Sequence, residues 1–320
     1  MVLKRGGVTL MRSIGRCGVR ILLYHRFPAS AKASLEAQCA HLRRHYHVVS
    51  LDQVGRWLSN REILPNNSLA VTVDDGYRDF YLTAYPVFRS YGIPVTMFLT
   101  TDFLDAGSWL WVDRVKYACS HTPVPLAEIP FGRDDVREFR FATQEECQAA
   151  ATEIKNRAKR MSNRERLRFV MEDLPHLLKV TVPVIPPEEY QPLRWDDVRG
   201  MAKCRISFGA HTKTHPILSS VEGRDDLIQE IHGSKKRIEE ELDNPILHFA
   251  YPNGTWDDFS PQVVETVKTG SFQTAVIAMG GVNGKSTDPF MLRRNAVEAS
   301  SPEMVFGRFA TGFRGVRSEP

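Results

Sequence analysis

The chain has 320 residues, 42% of them apolar and 25% charged, with a net charge of +4. That is ordinary globular composition, long enough for one large α/β domain or two small ones, and its scattered Lys and Arg describe a solvated surface rather than a nucleic-acid footprint. No run is long and apolar enough to span a membrane, and the basic start "MVLKRGGVTLMRSIGRCGVRILLYH" has no apolar leader core, so the sequence reads as cytoplasmic.

Residues 1–18 read as a basic tail. "VRILLYHRF" (19–27) then predicts a short buried strand, "ASLEAQCAHLRRHY" (33–46) a helix, "HVVSL" (47–51) a strand and "DQVGRWLSNREIL" a helix. "SLAVTV" (68–73) predicts a strand, "TAYPVFRSYG" (83–92) a helix closed by Gly92, and "IPVTMFLT" (93–100) a strand. Such alternation implies a parallel sheet with helical crossovers. It stops near Gly107, and residues 108–195 read as a charged, mostly helical insertion. Two capping boxes fall inside it, Thr143 with Glu146 and Ser162 with Glu165. The alternation resumes with the strand "RISFGAH" (205–211), the helix "DDLIQEIHGSKKRIEEEL" (225–242), the strand "ILHFAYP" (246–252), the helix "PQVVETVKTG" and the strand "TAVIAM" (274–279). The last residues, 311–320, read as a loose tail.

The five cysteines (17, 39, 119, 147, 204) are odd in number and never form CxxC, which argues against a disulfide framework and against a Cys zinc site. Chemistry concentrates elsewhere. In "LAVTVDDGYRD" (69–79) two carboxylates, Asp74 and Asp75, sit side by side where a buried strand ends. Asp-Gly is a common turn pair, but ligands in parallel α/β sheets bind beyond the carboxyl ends of strands. A bound cation would relieve the repulsion, one carboxylate acting as ligand and the other as a free base. "GAHTKTH" (209–215) supplies His211 and His215 just past another predicted strand, and two imidazoles with one carboxylate make a catalytic metal set with open positions.

Spacing alone does not carry this inference. His41 and His45 in "HLRRH" have the same spacing, but they lie inside an amphipathic helix and read as packing or surface. "GGVNGKS" (280–286) is not a phosphate loop, because the glycine that pattern needs falls on Met279. "HFAYPNGTWDD" (248–258) reads as a strand and turn whose backbone N–H groups face a developing oxyanion, with Tyr251, Asn253 and Gly254 as candidates.

Taken together, "TVDDGY", "HTKTH" and "FAYPNG" resemble the signatures of the polysaccharide deacetylases, the NodB-like carbohydrate esterases of family 4, over residues 19–106 and 195–300. The resemblance implies a distorted, incomplete (β/α) barrel over residues 19–310, interrupted by the insertion at 108–195. It implies a metal-dependent hydrolase that removes N-acetyl groups from an N-acetylated glycan. It further implies Asp74 as general base, and Asp75, His211 and His215 as ligands of one divalent ion, with zinc the expected metal.

Two departures stand out. The Arg that orients the base in the family's third signature is missing from "HFAYPNG". The usual Leu-x-His that supplies the general acid is replaced by "FMLRRNAV" (290–297), which offers Arg294 as an electrostatic substitute toward substrate or oxyanion. Circularly permuted family members that act on secreted poly-N-acetylglucosamine carry Tyr-His near their start, and "LLYHRF" is similar, which makes His25 the candidate acid. A carbohydrate-binding relative without turnover and a metallohydrolase of other C–N bonds are the competing readings. Trp109, Trp111 and Trp195, at the roots of the insertion, are candidates for stacking on sugar rings or for hinge packing.

Overall fold

A computed structural model describes residues 18–132 and 135–312; the tails expected at 1–18 and 311–320 lie, apart from Gly18, Thr311 and Gly312, outside the described residues. The main sheet contains β1 (Arg20–Tyr24), β2 (His47–Val48), β3 (Ser68–Val73) and β4 (Val95–Leu99). After the hairpin β5 (Leu126–Pro130) and β6 (Val136–Arg140), it continues with β7 (Ile206–Ala210), β8 (His248–Ala250), β9 (Thr274–Ile277), β10 (Leu292–Arg293) and β11 (Asn295–Ala296). The order is β10-β9-β8-β7-β4-β3-β1-β11, with β2 added beside β3, and every pairing is parallel.

The two edges of that path are one piece of chain. Leu292 pairs with Val276 of β9, and Asn295 pairs with Leu22 of β1, so the segment 292–296 nearly closes the sheet into a barrel, with a break at Arg294. Side chains alternate across each strand. Leu69, Val71 and Val73 pack outward against the helices, while Ala70 joins Ile21, Phe98, Ala250, Val276 and Leu292 in a separate inner cluster. The inner layer is tight: a Cβ on Gly209 would lie 2.5 Å from the Phe98 ring. The helix Leu51–Leu58 plugs one end through Val54 and Trp57. It is capped at Ser50 and is shorter than the sequence pattern predicts.

The helices expected at 33–46, 225–242 and 261–270 form at Lys32–His45, at Arg224–Leu242 (with a π-turn over Gln229–Gly233) and at Pro261–Thr269. The segment 108–195 has its own core around Trp111, Val115, Ile129, Ile154 and Leu174, joined by Ile217 from the barrel. Both capping boxes form. Beside its helices the insertion holds a pair of antiparallel strands, Leu126–Pro130 and Val136–Arg140, which the sequence reading does not predict. Only Ile129 and Phe139 of its strand residues are buried, so the stretch carries too few apolar positions to register as strands.

His41 packs on Phe306 and pairs with Glu303, which gives the HLRRH pair a packing role. Lys285 of "GGVNGKS" donates to the Trp57 carbonyl and to Asn60, tying that loop to the plug. Cys39, Cys119, Cys147 and Cys204 are free. Among the described residues no helix is long and apolar enough to cross a membrane.

Candidate metal centre and active site

Alternation along β3 turns Ala70, Thr72 and Asp74 inward. Asp74 therefore leaves the strand pointing into the barrel mouth, where it is buried. Asp75 then takes a left-handed backbone (φ 76°), as does Gly76 (φ 92°). A Cβ on Gly76 would also press to 3.0 Å from Leu99, so the glycine of "DDGY" is required on both counts. Thr212, His215 and Asn253, on the loops around this mouth, are left-handed too.

Three residues converge. His211 Nε2 lies 3.4 Å from Asp75 Oδ1, and His215 Nε2 lies 3.5 Å from the same oxygen. The three potential ligand atoms lie within 4.8 Å of one another, and all three residues are buried. His211 Nδ1 sits 2.7 Å from the Ala250 carbonyl, which can only accept, so Nδ1 carries the proton and Nε2 is free to ligate. Asp75 Oδ1 is buried and accepts no hydrogen bond. A buried carboxylate oxygen without a partner is costly, and a cation between it and the two Nε2 atoms would satisfy it. The donor set therefore fits a divalent ion.

The electrostatics ask for positive charge. Burial alone would raise the Asp74 carboxyl, but Arg294, with His211 and His25 adding to it, holds it below the usual carboxylate range. Burial is likewise outweighed at Asp75, chiefly by His211 and His215. Burial works against a charged His211, yet Asp74 and Asp75 keep its pKa above the ordinary value. His215 goes the other way, pushed by burial to about 4, and is neutral as a ligand must be.

Arg294 changes the expectation set for it. Leu292 faces the barrel interior and Arg294 shares its parity. Its guanidinium reaches Asp74 with both nitrogens, Nη1 to Oδ1 at 2.6 Å and Nη2 to Oδ2 at 2.7 Å. A further bond to the Ile277 carbonyl and the Phe98 ring beneath fix its plane. It is committed to Asp74 through both carboxylate oxygens. It does not sit toward an oxyanion.

Two of the three oxyanion candidates are also corrected. The Tyr251 N–H donates to the Val276 carbonyl, and its hydroxyl to the Phe290 carbonyl. The Gly254 N–H donates to Pro252. Both are spent on the strand and turn. Asn253 keeps a donor, since its Nδ2 is buried and unpartnered.

His25 follows β1, whose Tyr24 pairs with Val73, so His25 and Asp74 leave neighbouring strands side by side. Its ring is exposed and close enough for its charge to act on Asp74, Asp75 and His215.

The insertion borders the same mouth. Its Trp111 Nε1 donates to the His215 carbonyl at 3.2 Å, and the fully buried Arg166 lies over that indole at 5.4 Å. Buried Asp113 accepts from the Tyr77 hydroxyl, and residues 191–193 run against 76–78 through two backbone bonds. Trp195 is tied to Asp105 and Arg237, so it and Trp111 contact the barrel side of the hinge, whereas Trp109 packs inside the insertion and donates to the Pro183 carbonyl. Glu230 accepts from the N–H groups of Lys213 and Thr214, clamping the histidine loop. Trp111 is among the hinge-packing candidates of the sequence, whereas nothing local marks Glu230 for its task.

A family model for polysaccharide deacetylase matches residues 61–269, more than half of the chain. Among curated protein sequences none matches. Several solved structures share the fold. The Streptococcus pyogenes deacetylase PplD in complex with acetate has a TM-score of 0.61 and 16% identity, with 92% of this chain and 98% of that chain covered. IcaB from Ammonifex degensii gives 0.60 and 18%, with 92% and 97% covered. A de-N-acetylase from Aggregatibacter actinomycetemcomitans gives 0.57 and 16%, with 91% and 99% covered.

Proposed function

Because the chain belongs to the polysaccharide deacetylase family, whose barrel it shares, we propose that it is a metal-dependent hydrolase that removes N-acetyl groups from amino sugars of an oligo- or polysaccharide. The observation that carries the reading is the buried Asp75–His211–His215 cluster, with its unsatisfied carboxylate oxygen, beside an Asp74 held by Arg294. Zinc suits two imidazoles and a carboxylate. When bound, such an ion supplies Lewis acidity toward water and the amide oxygen.

The chain's own groups divide the remaining work. Asp74, ionised and fixed by Arg294, takes the proton of the attacking water. Asn253 Nδ2 offers a hydrogen bond to the developing oxyanion. His25 donates a proton to the leaving nitrogen, so the C–N bond breaks to give acetate and a free amino sugar. Trp111 and Glu230 keep the histidine loop in place throughout.

The reading is tested by metal content and acetate release together. Asp75→Ala and His211→Ala each delete one of three ligands. Loss of a supporting group behind a ligand already costs about 10–100-fold in affinity, so each should lower metal affinity by at least that much. Elemental analysis after dialysis checks this, and unchanged stoichiometry in both variants would refute the centre. Acetate release from N-acetylated chitooligosaccharides by the metal-loaded wild type separates the enzyme from a binding protein.

His25→Ala should keep its metal and lose turnover by roughly 10²–10⁴, the span for general acid catalysis. Near-normal turnover in a folded, metal-loaded variant would remove His25 from the chemistry.

A further inference from the structure

The helix Trp111–Ser120 seats Val115, Ala118 and Cys119 in the insertion's own core. Its first turn reaches out of that core to the barrel. Trp111 and Asp113 are neighbours but one in sequence, and side chains at that spacing diverge around a helix. Trp111 Nε1 donates to the His215 carbonyl at 3.2 Å, while Asp113 Oδ2 accepts from the Tyr77 hydroxyl. One contact falls on the loop that carries His215. The other falls on the loop that carries Asp75, next but one to Tyr77. The strands that lead into these loops, β3 and β7, are not neighbours, because β4 lies between them in the sheet. A single turn of the insertion thus spans two loops that each bring a ligand.

Both ends of the span are firmly held. Asp113 is wholly buried, with Lys116 Nζ 3.3 Å from its other oxygen. A carboxylate is tolerated in that position only when it is paired and hydrogen-bonded, and the barrel's Tyr77 supplies one of its bonds. The Tyr77 ring meets Phe103 edge-on at 5.3 Å, and the Arg26 guanidinium lies 4.0 Å from its centre. At the other end Arg166 backs the Trp111 indole. Its Nη2 bonds Asn163 Oδ1 at 2.6 Å, and both Nη atoms lie 3.5 Å from the hydroxyl of Ser220, further along the chain from His215.

We propose that this turn is a brace that fixes the spacing of Asp75 and His215, with Asp113 and Trp111 as positioning residues of the metal centre. The inference rests on the metal reading of the site and gives the insertion a task in it. A brace also links the two parts thermodynamically. Whatever the docking of the insertion adds to ion affinity, the bound ion adds to the docking.

The experiment measures zinc affinity of the full chain, stripped of metal, by competition with a chelator. It compares wild type, Tyr77→Phe, Trp111→Phe and the double variant. Each single change deletes one hydrogen bond and keeps an aromatic ring in place. Each should weaken zinc binding by about 10–100-fold, the usual cost of losing a group behind a ligand. Either loss frees the brace, so the double variant should be little weaker than the weaker single one. Multiplied losses would mean two independent supports, and folded variants with wild-type affinity would mean contacts that only hold the fold. Either result overturns the brace and leaves the metal centre intact. The wild type supplies a check that needs no variant: zinc should slow amide hydrogen exchange along Trp111–Ser120, and unchanged exchange would overturn the brace. A wild type that binds no zinc refutes the metal centre, and the brace with it.

Discussion

Asp74→Asn should leave the metal bound and reduce acetate release by roughly 10²–10⁴, equivalent to about 3–5 kcal/mol of transition-state stabilisation. The substitution keeps the size of the side chain and deletes the proton acceptor. Asp75, a residue further on and turned away by its left-handed backbone, still faces His211 and His215. The contrast with Asp75→Ala is the useful part, because two adjacent carboxylates should fail differently, one by losing chemistry and the other by losing metal. Equal metal loss in Asp74→Asn would mean that the two exchange roles. The variant also leaves one Arg294 nitrogen facing an amide N–H instead of an oxygen, so its rates belong well below its unfolding transition.

Much of this arrangement is legible in sequence where a local pattern causes it. "SLAVTV" forms the buried strand its apolar run predicts, and the carboxylates and histidines fall at strand ends because the strand–helix alternation places them there. What is not legible depends on pairing between distant segments. "MLRRNAV" contains two arginines and an asparagine and has no apolar period. It becomes the closing strand only because β9 and β1 offer free edges on either side. That closure sets the inward parity of Arg294, so a residue expected to stand in for a missing acid is found paired with both oxygens of Asp74. Tyr251 shows the reverse. A strand-end aromatic beside a turn reads as a pocket wall, but its backbone is still in register with Val276 and its ring belongs to the core. Glu230 looks like an ordinary helix residue, and only the docking of its helix against the histidine loop gives it its partners.

Arg294→Met should destabilise the fold by about 3–5 kcal/mol, since breaking a buried pair strands the charge that remains. Both side chains are almost wholly buried, so solvent does not screen the pair. The pH dependence gives the loss its signature. In the wild type the Asp74 pKa is depressed in the folded state. Its contribution is therefore present above the unfolded pKa and is lost as pH falls through the folded one. Without the guanidinium, burial raises the same group, so the penalty is full at neutral pH and fades as acid protonates Asp74. Urea midpoints of the metal-free proteins should thus differ most near neutrality and converge on acidification, and the acid limb of the variant's pH–rate profile should move to higher pH. A gap that stays constant with pH would mean that Arg294 matters for its packing on Phe98 and not for its charge. The double variant Asp74→Leu with Arg294→Met gives the independent check. It removes both charges, so it should be much less destabilised than the sum of the single changes, with a coupling of about 0.5–3 kcal/mol or more. Strict additivity would show that the bidentate contact carries no coupling, and the orienting role of Arg294 would fall with it.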